Sequence, residues 1–208
     1  MENQGKKSID TSSTLWKNSY MHDIAEAIRS RRSIRKYLDK PLPKEIIDKL
    51  IESAGWAPSG MNEQPWGFIV VRDRSLIKEL SDRSIPYIKK LVEQDPKFIR
   101  YKRRMAVKDF NIFYDAPCVI IILGRKSTFS YENDCAMAAQ NLMLEAWSMG
   151  IGSCWVGMMK AIENDKWFRE KFEIPDNYSI VAPLALGYFD KKDTPVIERK
   201  PVEILKWF

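Results

Sequence analysis

Histidine is scarce in this sequence, because His22 is the only one among 208 residues. The three cysteines, Cys118, Cys135 and Cys154, are too far apart to form a Cys-x-x-Cys pair. Zinc sites are built from closely spaced cysteine and histidine ligands, so we expect no metal site. A Ser-His-Asp or Cys-His arrangement would have to use His22, which no motif supports. We therefore assign no catalytic side chain from the sequence.

Long apolar segments are also lacking. Residues 1–20 contain no apolar core typical of a signal peptide, and no run reaches the roughly 18 apolar residues that a membrane span needs. An odd number of cysteines in apolar surroundings is typical of reduced, buried thiols. These absences predict a cytoplasmic protein that contacts no membrane.

The charge is positive without any long basic tract. The net charge of +6 and the pI near 9.1 suit an anionic ligand such as a phosphate-bearing cofactor. The basic residues are interspersed with 28 acidic ones, so we do not expect nucleic acid as a partner. Between Lys89 and Lys108 the basic residues dominate, which predicts a solvated helix face. If the segment 84–112 covers a site as a lid, it would attract anionic substrates.

The apolar periodicity predicts one α+β domain over residues 21–208. Helices are expected at about 21–30, 43–55, 74–113, 133–150 and 161–172, and strands at 66–72, 116–124 and 179–188. Gly55 suits the left-handed position after its helix, and Gly150 ends the helix that starts at 133. That helix is apolar almost all round, which indicates a central core helix or a subunit interface. A polar, flexible arm is expected at 1–20, and a tail that docks on another surface at 190–208.

The stretch R31-R-S-I-R-K-Y37 is a basic hook that follows the first helix. In an extended segment Arg31, Ser33 and Arg35 point to one side, because side chains alternate along a strand. A helical conformation would also bring the two arginines together. Two guanidiniums beside a hydroxyl form a cradle for phosphate oxygens. A solvated run of charge is the alternative interpretation.

A second unusual stretch, A57-P-S-G-M-N-E-Q-P-W66, lies between a helix and a buried strand. Ligand-binding loops are common in such positions. Its Ser and Gly residues permit a close approach of the backbone, and Asn62 and Gln64 offer paired donors and acceptors. These amides suit the polar edge of a heterocycle.

These stretches belong to a series of motifs that together resemble the FMN-dependent nitroreductase family over about residues 22–205. The series reads R31-R-S-I-R35, A57-P-S-G-M-N-E-Q-P-W66, D115-A-P, A139-Q-N-L142, G150-I-G-S-C-W-V-G157, L186-G-Y and, from Glu198, E-R-K-P. The resemblance implies a mixed, largely antiparallel sheet flanked by helices, in an intertwined homodimer with two FMN molecules at the subunit interface.

The resemblance also implies which residues bind FMN. The phosphate and the adjacent ring edge would be held by Arg31, Arg32, Ser33 and Arg35. The isoalloxazine would be lined, often from the other subunit, by Pro58, Ser59, Gly60, Asn62 and Gln64. The backbone near the reactive edge of the ring would be that of Cys154, Trp155, Val156 and Gly157. A C-terminal contact to the phosphate would come from Arg199 and Lys200.

Two departures from the family pattern bear on these expectations. Some members carry a further basic residue two positions before the one matched by Arg199, where this sequence has Ile197. Members that dehalogenate iodotyrosine carry a Glu, Tyr and Lys constellation in the lid, and the segment 84–112 contains no convincing copy of it. Because Ile197 cannot supply that further charge, phosphate binding would depend more on Arg199, Lys200 and the hook.

The resemblance implies an oxidoreductase in which the cofactor performs the chemistry and the protein positions it. NADH or NADPH would donate hydride to FMN, and a nitroaromatic or a quinone would then be reduced at the same face. The alternatives are a related flavoprotein with different chemistry (reductive dehalogenation, substrate oxidation or flavin breakdown) and a flavin-binding protein without turnover. Ferredoxin also remains open as the electron donor.

Overall fold

A four-stranded sheet organises the chain in this computed structural model, which describes residues 20–107, 109–195 and 197–208. The strands run antiparallel in the order β1-β2-β4-β3. Their bounds are Trp66–Val71 for β1, Cys118–Arg125 for β2, Ile151–Trp155 for β3 and Tyr178–Tyr188 for β4. One isolated parallel bridge joins Ser33 to Ser153 at the β3 edge. The predicted α+β class, with a largely antiparallel sheet, is confirmed.

Six helices flank this sheet in the described part of the chain. They are α1 (Tyr20–Ser30), α2 (Lys44–Gly55), α3 (Arg74–Gln94), α4 (Ile99–Met105), α5 (Tyr131–Ser148) and α6 (Lys166–Lys171). Short 3₁₀ turns lie at Gly60–Asn62, Pro96–Phe98, Gly157–Ile162 and Lys191–Asp193. No helix in these residues is both long enough and apolar enough to cross a membrane.

The two faces of the sheet carry separate apolar cores because side chains alternate along β2. Ile120 and Ile122 pack on one face with residues of α2 and α5, such as Leu50 and Leu142. Val119 and Ile121 pack on the other face, with residues of α3 and α6 such as Leu80 and Phe168. This double burial explains why the β2 sequence is apolar throughout.

The helix ends correct one prediction from the sequence. Gly150 has a φ of 73° and follows α5, as expected of the residue that ends a helix. Gly55 belongs to α2 itself, and the helix ends at Trp56, whose φ is −84°. The amide of Trp56 bonds to Ser53 O and that of Ala57 to Ala54 O, so an ordinary turn completes the helix. The left-handed conformation predicted for Gly55 is therefore wrong.

Some apolar surface remains uncovered in the single chain. Met137 on α5 is 38% exposed, so this chain alone does not cover the helix on every side. The described residues of the tail beyond the Lys191–Asp193 turn form no helix or strand, and Trp207 and Phe208 are exposed at its tip. Of the arm expected at 1–20, residues 1–19 lie outside the described residues, and Tyr20 begins α1.

Candidate functional site

The basic hook is extended and lies against the β3 edge. The amide of Ile34 donates to Ser153 O at 3.0 Å, next to the bridge between Ser33 and Ser153. Ile34 is buried and packs on Gly152, where an added Cβ would fall 2.8 Å from the isoleucine side chain. Gly152 is therefore required for the hook to approach the strand this closely. Of the two conformations that the sequence allowed, the structure has the extended one.

The hook and the C-terminal tail meet at Arg31. Burial lowers the pKa of Arg31, and the positive charges of Arg199 and Arg32 lower it further. None of these three arginines forms an ion pair with a carboxylate among the residues that the structure describes. Like charges held together without an acidic partner favour the binding of an anion. Arg199, predicted to contact the phosphate, therefore places its charge where it acts on the hook.

Arg35 links the hook to two residues that the sequence did not single out. Its guanidinium lies 5.8 Å from the centre of the Tyr114 ring, and Nη1 of Arg104 donates to the Tyr114 hydroxyl at 3.1 Å. Burial pulls the pKa of Arg35 down, but Cys154 and Tyr114 outweigh it and the net direction is upward. Tyr114 directly precedes the D115-A-P motif, which was the available signal. Arg104 brings the basic helix α4 to the hook.

Tyr37 fixes the hook to the middle of the sheet. Its hydroxyl lies 2.7 Å from Ile34 O and 3.1 Å from Ala185 O, so it donates to the hook and to β4. Burial is the main cause that raises the pKa of Tyr37 well above its ordinary value. The hydroxyl therefore stays protonated and acts as a donor over the physiological range.

The segment Cys154–Gly157 continues from β3 beside the hook. Burial raises the pKa of the Cys154 thiol, while the charges of Arg35, Arg104 and Arg31 oppose that rise. Trp155 is partly exposed, and the amide of Val156 donates to Pro183 O at 2.8 Å. The predicted backbone contact to a ring thus adjoins the arginine cluster.

Two predicted phosphate contacts have other surroundings. Nη1 of Arg32 donates to the carbonyls of Arg29 at 2.7 Å and Arg31 at 2.8 Å, so this side chain caps the end of α1. Lys200 is exposed and forms no ion pair within the described chain. Arg31, Arg35 and Arg199 therefore define the cluster more clearly than the full predicted set.

A buried hydroxyl lies unpartnered beside this cluster. Ser153 is 1% exposed, and its Oγ has no hydrogen-bond partner within the described residues. Native structures rarely leave a buried hydroxyl unsatisfied, because its lost hydration costs about 1–3 kcal/mol. It lies on β3 opposite Ser33 of the hook.

The amide loop adopts a strained backbone conformation. Met61, Asn62 and Gln64 have positive φ angles of 52°, 57° and 44°, which non-glycine residues seldom adopt. The amide of Gln64 donates to Ser59 Oγ at 3.1 Å, and its side-chain Nε2 donates to Asn62 Oδ1 at 3.0 Å. Such strain persists only where surrounding contacts enforce it, and it is common at ligand sites.

The start of the loop is bonded to the buried carboxylate of Asp134, which the sequence did not identify. Both Asp134 oxygens lie 3.3 Å from the Gly60 amide, and Ser130 Oγ donates to Oδ2 at 2.9 Å. An added Cβ at Gly60 would fall 2.5 Å from Ser130 Oγ. The loop is therefore bonded to the start of α5, and a side chain at position 60 would require the Ser130 hydroxyl or the loop to move.

The amide loop and the hook lie at opposite corners of the sheet. In the strand register Trp66 is level with Gly124 and Ser179, whereas Val71 is level with Cys154 on β3. Three strand spacings cover about 14 Å and five residues along β1 about 17 Å, so the corners are roughly 22 Å apart. Within one chain the structure does not bring the two predicted groups of site residues together.

Comparisons with known proteins agree with these features. A family model described as "Nitroreductase family" matches residues 28–188. Two archaeal proteins named "Putative NADH dehydrogenase/NAD(P)H nitroreductase" are similar to this chain. The protein of Archaeoglobus fulgidus is 35% identical and covers 83% of this chain and 90% of its own. That of Methanothermobacter thermautotrophicus is 34% identical and covers 80% and 77%.

A solved structure shares the fold. It is the nitroreductase with bound FMN from Bacteroides fragilis, which superimposes with a TM-score of 0.74 at 26% identity. The match covers 89% of this chain and 97% of that structure.

Proposed function

This chain belongs to the Nitroreductase family, and from that premise we propose that it is an FMN-dependent oxidoreductase. When bound, FMN would accept hydride from NADH or NADPH and pass it to an electron-poor acceptor such as a nitroaromatic or a quinone. With a quinone, one nicotinamide and one proton yield the quinol and the oxidised nicotinamide. With a nitro group, the same two electrons and two protons yield the nitroso compound and water.

The observation that carries this proposal is the unpaired arginine cluster beside the buried Ser153 hydroxyl. A phosphate would supply the acidic partner that Arg31, Arg35 and Arg199 do not have within the described chain. Ser33 and Ser153 would offer hydroxyl groups at the same place, which would satisfy Ser153 Oγ. The residues present therefore fit the phosphate end of FMN.

The remaining predicted contacts suit the ring end. The backbone of Cys154–Gly157 continues from the cluster, and the amides of Asn62 and Gln64 would meet the polar edge of the heterocycle. We assign no side chain to the proton transfer step. The protein would position the ring, exclude water from one face and leave the other face open.

We further propose a homodimer in which each FMN is shared between subunits. The roughly 22 Å between the two corners of the sheet supports this assembly, because one chain cannot present both groups to one ring. The exposed apolar residues Trp56 and Met61 beside the loop, and Trp207 and Phe208 in the tail, would be covered by the second subunit. Residues 21–208 would form a single FMN-binding domain, with the tail docking on the partner.

We also propose a cytoplasmic location. The three cysteines are all buried and unpaired, which supports a reducing environment.

The function is tested by recording the visible spectrum of the purified protein and then adding NADPH or NADH without oxygen. We expect a yellow protein that bleaches with one of the nicotinamides and recovers its colour when a nitroaromatic is added. A yellow protein that neither nicotinamide bleaches would overturn the proposed nicotinamide-dependent reaction and would indicate another electron donor or a different chemistry. A colourless protein that does not take up added FMN would overturn the proposal.

The assembly is tested by light scattering on the full chain and on a chain truncated after Lys200. We expect the full chain to have the mass of a dimer. The truncated chain should already dissociate at concentrations at which the full chain is still a dimer. A monomeric full chain that binds FMN would contradict the shared site.

A further inference from the structure

An apolar cavity of about 230 Å³ lies where α3, α4 and the 3₁₀ turn after β3 meet. It begins at Gly157, the last residue of the segment predicted to contact the cofactor ring. The cavity is lined by Ile88, Leu91, Val92, Phe98, Tyr101, Gly157, Met158, Lys160 and Ala161. Since it shares only Gly157 with the predicted ring contact, it offers a place beside the ring for a second, smaller molecule.

The cavity walls suit a flat apolar molecule. The rings of Phe98 and Tyr101 are stacked with centroids 6.2 Å apart, and both face the cavity together with Met158. An apolar cavity of about 150 Å³ already accommodates benzene. The volume here has room for one substituted ring or two fused rings, and it is below the roughly 300–1,000 Å³ of drug-sized sites.

The charge around the cavity is positive. Lys160 lines it directly, and α4, with the sequence IRYKRRM, carries no acidic residue beside Lys102 and Arg103. The ion pair of Lys160 with Glu132 is long, at 3.4 Å, and both side chains are substantially exposed. Such a surface pair contributes little and leaves Lys160 available to another anion.

We propose that this cavity is a subsite for the electron acceptor and that the preferred acceptor is a planar aromatic anion. Its ring would lie against Phe98, Tyr101 and Met158, and its anionic group would meet Lys160. The inference rests on the proposed function, because it names the substrate class of that site. It explains why an apolar pocket adjoins a helix whose charges are all positive.

A matched pair of acceptors tests the charge. 4-Nitrobenzoate and 4-nitrobenzamide have nearly the same shape and differ in charge. We expect kcat/KM to be about tenfold higher for the benzoate at low salt, the ratio that one charge-assisted hydrogen bond gives. The preference should fall towards unity in K160M and persist in K166M, which removes an exposed lysine of α6. Added salt should reduce it in the unmodified protein.

A second variant and a direct binding measurement test the location. A161F should fill the cavity and raise KM for both acceptors, while the FMN content and the visible spectrum of the protein stay unchanged. In the protein labelled with ¹³C-methyl methionine, 4-nitrobenzoate should shift the signal of Met158 and leave that of Met143, which packs in the other core. The Met158 signal is assigned with M158L.

The two proposals fail in different ways. If neither nicotinamide reduces the protein, the proposed function is overturned. If the nicotinamide reduces it and both acceptors turn over equally, or if Met158 does not shift, only the acceptor subsite is overturned. A preference for 4-nitrobenzoate that persists in K160M would also overturn the subsite, because another residue would then bind the anionic group.

Discussion

The hook corner and the loop corner of the sheet are built on opposite physical principles. At the hook, Arg31, Arg35 and Arg199 are held together without an acidic partner among the described residues, so that corner is specified by charge. At the loop, strained residues are fixed by the buried carboxylate of Asp134, so that corner is specified by shape. A cofactor with an ionic end and a planar end would suit these two corners, the ionic end at the hook and the planar end at the loop.

The difference also explains the proposed assembly. A charge cluster attracts an anion over a distance, but a loop that recognises shape acts only on a group in direct contact with it. Since the two corners lie roughly 22 Å apart in one chain, the proposed homodimer would let the planar end reach the loop of another copy. Variants that disable one corner at a time test whether the hook acts through charge and the loop through shape.

The largest effect is expected at the hook. R31Q combined with R199Q should weaken FMN binding by about 100-fold or more, because each charge-assisted hydrogen bond contributes about 1.5–3 kcal/mol. Titration of the FMN-free protein with FMN, followed by flavin fluorescence, measures the change.

A control with the same loss of charge separates contact from net charge. R29Q combined with K206Q removes one charge from α1 and one from the tail and should bind FMN almost normally. Equal losses in the two double variants would mean that the arginine cluster has no specific role.

A smaller effect is expected at the loop. G60A places a methyl group against Ser130 Oγ, so the Ser130 side chain or the loop must shift, at a cost of about 1–3 kcal/mol. We expect acceptor reduction to fall by about tenfold, with a changed visible circular dichroism of bound flavin and with FMN affinity reduced much less than in R31Q.

A second substitution tests the cause of that effect. S130A removes the oxygen that the new methyl group would meet and should restore part of the activity in the G60A background. If S130A gives no recovery, the clash with Ser130 is not what displaces the loop.

Mixing the two kinds of variant tests the sharing of the site. If hook and loop come from different subunits, a dimer of one R31Q chain and one G60A chain has one intact site. Random mixing makes half of the dimers mixed, so about one quarter of the sites should recover. Acceptor reduction is measured after the two proteins are unfolded and refolded together. If each chain used its own hook and loop, no site would be intact and no activity would return.

The sequence predicted the hook well because its signal is local. The hook runs beside the β3 edge, where Ser33 forms a bridge to Ser153, and Gly150 ends α5 as expected. The left-handed conformation predicted for Gly55 was wrong because glycine also occurs in the last turn of a helix, where the amides that follow can complete an ordinary turn.

The relations between distant segments could not be predicted in the same way. Gly60 and Asp134 are 74 residues apart in the chain, and no local pattern pairs an amide with a carboxylate over that distance. Arg104 and Tyr114 are far from Arg35 in the chain, and only the folded structure brings them to the hook. The strand order, which separates the two corners, is likewise a property of the whole fold.

The smallest expected effect concerns the cysteines of the two corners. Burial raises the pKa of Cys135, on α5 at the loop side, to about 12. At the hook side, nearby arginines oppose the rise in the pKa of Cys154. A thiol with a raised pKa in the folded state stabilises the protein fully below its unfolded pKa. That contribution is lost as the pH rises towards the folded pKa, because only the unfolded state then loses its proton.

The unfolding free energy should therefore decrease above about pH 9, at most by about 1.4 kcal/mol per pH unit for each thiol. Urea denaturation between pH 8 and pH 10 measures this slope. C135S should flatten the slope more than C154S, because the arginines leave less of a pKa rise to lose at Cys154. The variants are compared by the slope of the unfolding free energy against pH and not by its value, since a buried serine hydroxyl changes the unfolding free energy at every pH. Equal flattening in the two variants would mean that the arginine cluster does not act on Cys154, and the electrostatic contrast between the corners would be wrong.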